Sequence, residues 1–257
     1  MTRVHCRVVG ALIAGVLSGC SRSTPEPAEA GGIRLTASMV SAVDIELEWH
    51  SPASHVAGYV LEYTNRPATE DYVPLGFLPP SQTRFTHARL IPETEFHYRV
   101  RPYHGPTSNV VEVSLPDELT ADAYAAAYAL PEDYEWAPPK TVPDASNVTR
   151  RSIRASATLA DAAPANLKAE LASNTVSGFK LTWSDRSTDE QGFFLERQRA
   201  GSTDFVVCAL VEPDINSFGW AFEPPERSGT FRIRAYYYGE PSNVVVKLTG
   251  KDPELSE

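Results

Sequence analysis

The chain is poor in cysteine, in positive charge and in long apolar runs, and each scarcity excludes something. Three cysteines occur in 257 residues, at positions 6, 20 and 208, and once a leader carrying Cys6 is removed the two that remain are too few for a zinc site built on cysteines. Lysine and arginine number 23 against 33 acidic residues, a formal net charge of −10. That is a poor charge for gripping phosphate backbones or anionic headgroups, so nucleic acid is not expected as a partner. The sequence has no Gly-rich phosphate loop, no Gly-x-Ser-x-Gly elbow, no His-Glu-x-x-His segment and no Arg-Gly-Asp tripeptide. Carboxylate pairs such as Asp189-Glu190 are adjacent residues on a turn, a setting where side chains are usually solvated or cap backbone donors. Neither an enzyme, nor a cofactor, nor a small-molecule substrate is expected.

The longest uncharged apolar run, Val8 to Leu17, comes after Arg3 and Arg7. It is too short for the ~20 residues that span a bilayer core, but has the length of a signal-peptide apolar region. It ends in Leu17-Ser18-Gly19-Cys20, which resembles the lipobox of bacterial lipoproteins. The resemblance implies a signal peptide over 1–19, a diacylglycerol on the Cys20 sulfur, cleavage before that residue, and a further acyl chain on its amine. Two or more chains hold a protein stably on a membrane, where one is marginal. Ser21 is the residue type that, in enteric-type sorting, permits transfer to the outer membrane. The implied location is therefore a bacterial cell envelope, periplasmic or surface-exposed. With Cys20 acylated, Cys208 is left without a disulfide partner. It sits in the apolar string Phe205-Val206-Val207-Cys208-Ala209-Leu210 and reads as a small core residue. Residues 20–32 lack periodicity and read as a tether, able to lift the first folded module a few nanometres off the bilayer at about 3.1 Å per extended residue.

The chain repeats itself once. Trp49 recurs as Trp183, Gly58-Tyr59 as Gly192-Phe193, Glu62 as Glu196, Gly105 as Gly239 and Ser108-Asn109 as Ser242-Asn243, each pair 134 residues apart. A period this long with no third copy means a duplicated domain and not a solenoid. Within each copy, short runs alternate as half-buried strands must. Ile45, Leu47 and Trp49 point inward in one strand and Tyr59, Leu61 and Tyr63 in the next, with Val60 and Glu62 outward. Phe96, Tyr98 and Val100 face inward later, with His97, Arg99 and Arg101 outward. Phe179-Leu181-Trp183, Phe193-Leu195 and Phe231-Ile233-Ala235 repeat the pattern. Glu62 opposite Arg99 or Arg101, and Glu196 opposite Arg232 or Arg234, read as cross-strand ion pairs on solvated sheets, each worth about 0.2–1 kcal/mol.

Both copies resemble fibronectin type III modules. The resemblance is carried by Trp49 and Trp183 on strand B, by Gly58-Tyr59 and Gly192-Phe193 on strand C, and by Tyr98-Arg99-Val100-Arg101 and Phe231-Arg232-Ile233-Arg234 on strand F. Trp183-Ser184-Asp185 followed by Glu190 to Arg197 is especially similar to bacterial versions. It implies an all-β chain of two immunoglobulin-like β-sandwiches, over 33–116 and 163–250, with a tail at 251–257. One departure occurs in each copy: Phe96 and Gly229 stand where the family usually has a tyrosine near the start of strand F.

Residues 117–162 link the copies. Asp117 to Leu130 has high helix propensity with acidic residues in its first turn, and Pro131 stops it. The stretch beyond, rich in Pro, Ser, Ala and Asn, reads as loop or disorder. Tyr134 and Trp136 lie there without a core of their own, and either glue the linker to a module or form a partner site. The histidines beyond the leader, His50, His55, His87, His97 and His104, all fall in the first copy. The implied sandwich puts the B–C and F–G loops at one end, which brings His55 near His104. His55, His104, Tyr134 and Trp136 are thus the candidate binding residues; no metal site is assigned. The expected function is a non-catalytic, lipid-anchored envelope protein that binds another envelope protein or acts as a structural subunit or spacer. A surface adhesin or glycan binder is the alternative, and a hydrolase or an accessory subunit of one comes after that.

Overall fold

A computed structural model describes residues 32–52, 55–66, 71–115, 149–155, 159–171, 178–223 and 225–251. The lipobox, the tether up to residue 31, the 117–130 stretch, Tyr134 and Trp136 lie outside the described residues. The described chain is all β apart from a short 3-10 helix at Leu159–Ala162. The first copy runs β1 (Arg34–Met39), β2 (Ile45–His50), β3 (Gly58–Thr64), β4 (Val73–Leu78), β5 (Arg84–His87), β6 (Glu95–His104) and β7 (Val111–Ser114). The second runs β8 (Ala165–Leu171), β9 (Gly178–Ser184), β10 (Gly192–Gln198), β11 (Phe205–Val211), β12 (Ser217–Ala221), β13 (Ser228–Tyr238) and β14 (Val245–Leu248).

The alternating residues face inward as expected. Ile45, Leu47, Trp49, Tyr59, Leu61, Phe96, Tyr98 and Val100 are buried in one core. Phe179, Leu181, Trp183, Phe193, Leu195, Phe231, Ile233 and Ala235 are buried in the other. Each core lies between a three-stranded sheet, β1-β2-β5 or β8-β9-β12, and one half of an eight-stranded sheet.

That large sheet binds the two copies together. β6 and β13 pair at their ends, Tyr103 with Tyr238 and His104 with Tyr237, joining the two halves. The last strand of each copy then pairs with the other copy. β7 lies against β13, from Val111↔Phe231 to Ser114↔Ser228. β14 lies against β6, from Val245↔Tyr98 to Leu248↔Glu95. The sequence boundaries assign β7 to the first sandwich and β14 to the second; in space each strand completes the opposite one. Val113 and Leu115 are buried in the second core, and Val245 packs on the first.

The repeated Ser-Asn pair fastens these exchanged strands. The Ser108 hydroxyl accepts from Ile233 N at 3.0 Å, and Ser108 N donates to Ile233 O at 2.8 Å. Ser242 does the same with Val100, at 3.0 and 2.8 Å. The neighbouring asparagine imitates a strand partner: Asn109 accepts from Leu167 N and donates to Leu167 O, and Asn243 does so with Leu35. Each exchanged strand is therefore tied to both sheets of the sandwich it enters.

Gly105 opens the first crossing. Its φ is +130°, and a Cβ there would lie 1.9 Å from the Ala235 carbonyl oxygen. Gly105→Ala is expected to cost more than the roughly 1–3 kcal/mol of backbone strain alone, because the backbone of β13 must also yield. Gly201→Ala is the control, since Gly201 also has positive φ, +70°, but nothing lies within 4 Å of a Cβ there. Urea midpoints compare the two; equal losses would assign the effect to strain and not to the crossing.

The outward charges are not solvated. The Glu62 and Glu196 side chains are 8 % and 3 % exposed. Glu62 accepts from Arg99 at 2.6 Å. Glu196 accepts from Arg232 and Arg234, both at 2.5 Å. The cover comes from neighbouring segments: Arg99 stacks on Tyr72, just before β4, and Arg232 on Phe205 of β11, each 4.0 Å from the ring centroid. Arg101 lies over Tyr238 of the other copy. Val60, also on this face, is fully buried. Period-two alternation separates two faces but says nothing of what covers the outer one.

Candidate binding site at the junction of the two sandwiches

Beside the β6–β13 join lies a third apolar cluster. Tyr103, Phe194 and Tyr236 are buried there, with Ala57, Phe77, Val207 and Tyr238 packed against them. Phe194 and Tyr236 stack in parallel at 3.7 Å. Phe77 of the first copy meets Phe194 of the second edge-on at 5.0 Å, as does Tyr103. Gly58 makes room for Tyr103, since a Cβ would lie 2.2 Å from its hydroxyl oxygen. Burial, with the Glu196 carboxylate adding to it, pushes the Tyr103 hydroxyl up to about 12, so it stays protonated.

His55 and His104 meet at this junction. His55 sits in the β2–β3 loop with φ +71°, and its backbone hydrogen-bonds the His104 ring. The His104 ring stacks on Tyr237 of the second copy at 5.3 Å, and the Arg154 guanidinium lies 4.9 Å from the Tyr237 centroid. The other histidines disperse. His87 hydrogen-bonds Tyr98 inside the first sandwich at 3.0 Å, His97 meets Glu95 at 2.7 Å, and His50 is exposed at the end of β2. Among the described residues no histidine joins a three-ligand group. What the junction leaves open beside its buried aromatic cluster is the half-buried His104 and Tyr237 rings with the exposed Arg154 guanidinium, groups suited to protein contacts.

Burial holds His87 and His104 below their ordinary 6.5. The unfolded chain therefore binds protons first, and stability fully present above pH 6.5 is lost as pH falls below that value and through the lower folded-state values. The melting temperature is expected to drop on acidification below about pH 6.5, with a shallower slope in His87→Gln. An unchanged slope in that variant would remove His87 from the account. Cys208 is inert by the same physics. Burial pushes its thiol up to about 12, and its Sγ donates to Leu195 O.

Residues 149–155, which composition alone reads as loop or disorder, dock on the second sandwich. Ile153 is 1 % exposed within its core. Asp189 accepts from Ser152 Oγ and Ile153 N, both at 2.6 Å. Arg150 Nη2 reaches Asp185 at 2.5 Å, Asp214 at 2.9 Å and Glu190 at 3.6 Å. Sequence reasoning missed Arg150, Asp214, Arg154 and Tyr237. The one available signal was Arg150-Arg151-Ser152-Ile153, a charged and branched stretch closing a bland linker.

Paired three- and four-stranded sheets around one core, with this strand order, define an immunoglobulin-like β-sandwich. Residues 26–114 match the fibronectin type III domain family, and the chain carries one such domain there. The matched stretch ends on β7, the strand that enters the other sandwich. No curated protein matches the chain. Among solved structures, a computationally redesigned β-sandwich protein is 18 % identical, covering 28 % of this chain and 76 % of its own, with a TM-score of 0.26. Fibronectin type III domains are generally non-catalytic, and their presence suggests a protein-binding or structural module.

Proposed function

We propose that the chain is a lipid-anchored, non-catalytic protein of a bacterial cell envelope, whose two sandwiches act as one spacer and protein-binding unit within an envelope complex. The observation that carries this reading is the reciprocal exchange of β7 and β14. Independent modules on a linker vary their separation, whereas sandwiches that hold each other's last strands keep one spacing and one relative orientation. A spacer or complex subunit needs that property. The junction offers the contact surface, with His104, Tyr237 and Arg154 at its edge.

The anchor rests on the lipobox resemblance at Leu17 to Cys20. Cys20→Ala is expected to leave an unprocessed precursor that incorporates no labelled fatty acid; normal processing with continued labelling would refute it. The complex is tested separately, by solubilising membranes in mild detergent and purifying the tagged protein. A stoichiometric protein partner supports the reading, and a partner-free chain that binds immobilised glycans would replace it with the glycan-binding one.

A further inference from the structure

Three carboxylates of the second sandwich converge where the docked segment meets it. Asp185 follows β9, Glu190 precedes β10, and Asp214 lies in the turn between β11 and β12. One oxygen from each lies within 4.8 Å of the other two. The Asp185 and Glu190 side chains are 0 % and 3 % exposed, while Asp214, at 46 %, opens the cluster to solvent.

The charge at this place is poorly matched. Three carboxylates face one guanidinium, which serves all three through Nη2 alone, although arginine pairs best through two nitrogens of its fork. Arg150 Nε, buried, has no acceptor. Glu190 Oε2, also buried, accepts no hydrogen bond. The Ser187 hydroxyl donates to Asp185 Oδ1 and, with the Glu190 backbone, also bears on the Glu190 carboxylate, which leaves Oε2 itself without a donor. A buried carboxylate with an orphaned oxygen next to a second buried carboxylate is costly unless further positive charge arrives. Burial and Asp185 together push the Glu190 carboxyl up.

The donor set consists of oxygens, all from carboxylates, with one side open for water. Hard divalent cations take such ligands, and calcium tolerates their irregular arrangement better than magnesium does. We propose that Asp185, Glu190 and Asp214 form a calcium-class cation site, which Arg150 fills as an internal counter-ion when the cation is absent. Cation and guanidinium then compete for the same oxygens. When the cation binds, Arg150 leaves, while Ser152 and Ile153 keep the segment docked through Asp189 and the core.

The test is isothermal titration of the full chain with calcium chloride in about 0.15 M salt, which screens the diffuse acidic surface. Wild type is expected to bind one ion per chain. Arg150→Ala is expected to bind at least tenfold more tightly, and adding Glu190→Gln to that variant to weaken binding at least tenfold. If Glu190→Gln fails to fold, as read by its melt, Asp214→Asn at the open edge replaces it with the same expectation. The proposal is overturned if folded Arg150→Ala takes up no calcium at millimolar concentration, if it binds no more tightly than wild type, or if removing a carboxylate leaves the affinity unchanged.

Discussion

Expressed as two separate polypeptides, residues 32–115 and 149–251 should assemble into a tight one-to-one complex, and neither should close a complete sandwich alone. Each half holds the strand that the other lacks. The first half without β14 leaves the β6 edge unpaired from Glu95 to Tyr98 and loses the Ser242 and Asn243 bonds to Val100 and Leu35. The second half without β7 loses Val113 and Leu115 from its core. At about 1 kcal/mol net for each hydrogen bond, plus the buried apolar side chains, one exchanged strand is worth several kcal/mol. That is comparable with the whole stability of an ordinary domain, roughly 5–15 kcal/mol. Co-expression with a tag on one half, followed by sedimentation, reads the stoichiometry, and amide spectra of each half alone read its folding. Two halves that fold independently and stay monomeric would mean that β7 turns back on β6, and the exchange would be wrong.

Glu196→Ala should be the most damaging single substitution on the outer face of the large sheet. It leaves Arg232 and Arg234 without their carboxylate, and the Arg234 side chain is only 11 % exposed. Breaking a buried pair by removing one partner typically costs about 3–5 kcal/mol, because the surviving charge stays desolvated. The repeat supplies a built-in comparison. Among the described residues Glu62 is paired with Arg99, which is 26 % exposed and can turn to water. Glu62→Ala should therefore cost clearly less. Urea unfolding of both variants gives the difference; a loss below about 1 kcal/mol for Glu196→Ala would return this pair to the class of surface bridges.

The contrast between Glu196 and the inward residues shows how far a linear reading reaches. Trp49, Trp183 and the alternating Phe, Tyr, Leu and Ile positions were legible because pleating forces neighbours to opposite faces, and the more apolar face must be buried. The candidate site was half legible. His55 and His104 meet, since loop ends of a sandwich converge, but Tyr237 and Arg154 come from the other copy and from the linker. Arg150 reaches carboxylates 35 and 64 residues away, a distance no local pattern encodes.

By itself, the sequence determined the strands, their inner faces, the duplication and the all-β class, because these arise from side-chain period and from matching residues at a fixed spacing. Only the tertiary structure decided which sandwich each last strand completes. The duplication is the reason. Tyr98-Arg99-Val100-Arg101 and Phe231-Arg232-Ile233-Arg234 offer nearly the same edge, so β7 and β14 find equivalent partners in either copy. The choice falls to the crossings at Gly105 and Gly239 and to the aromatic cluster between the sheets, and those contacts exist only once both copies are folded together.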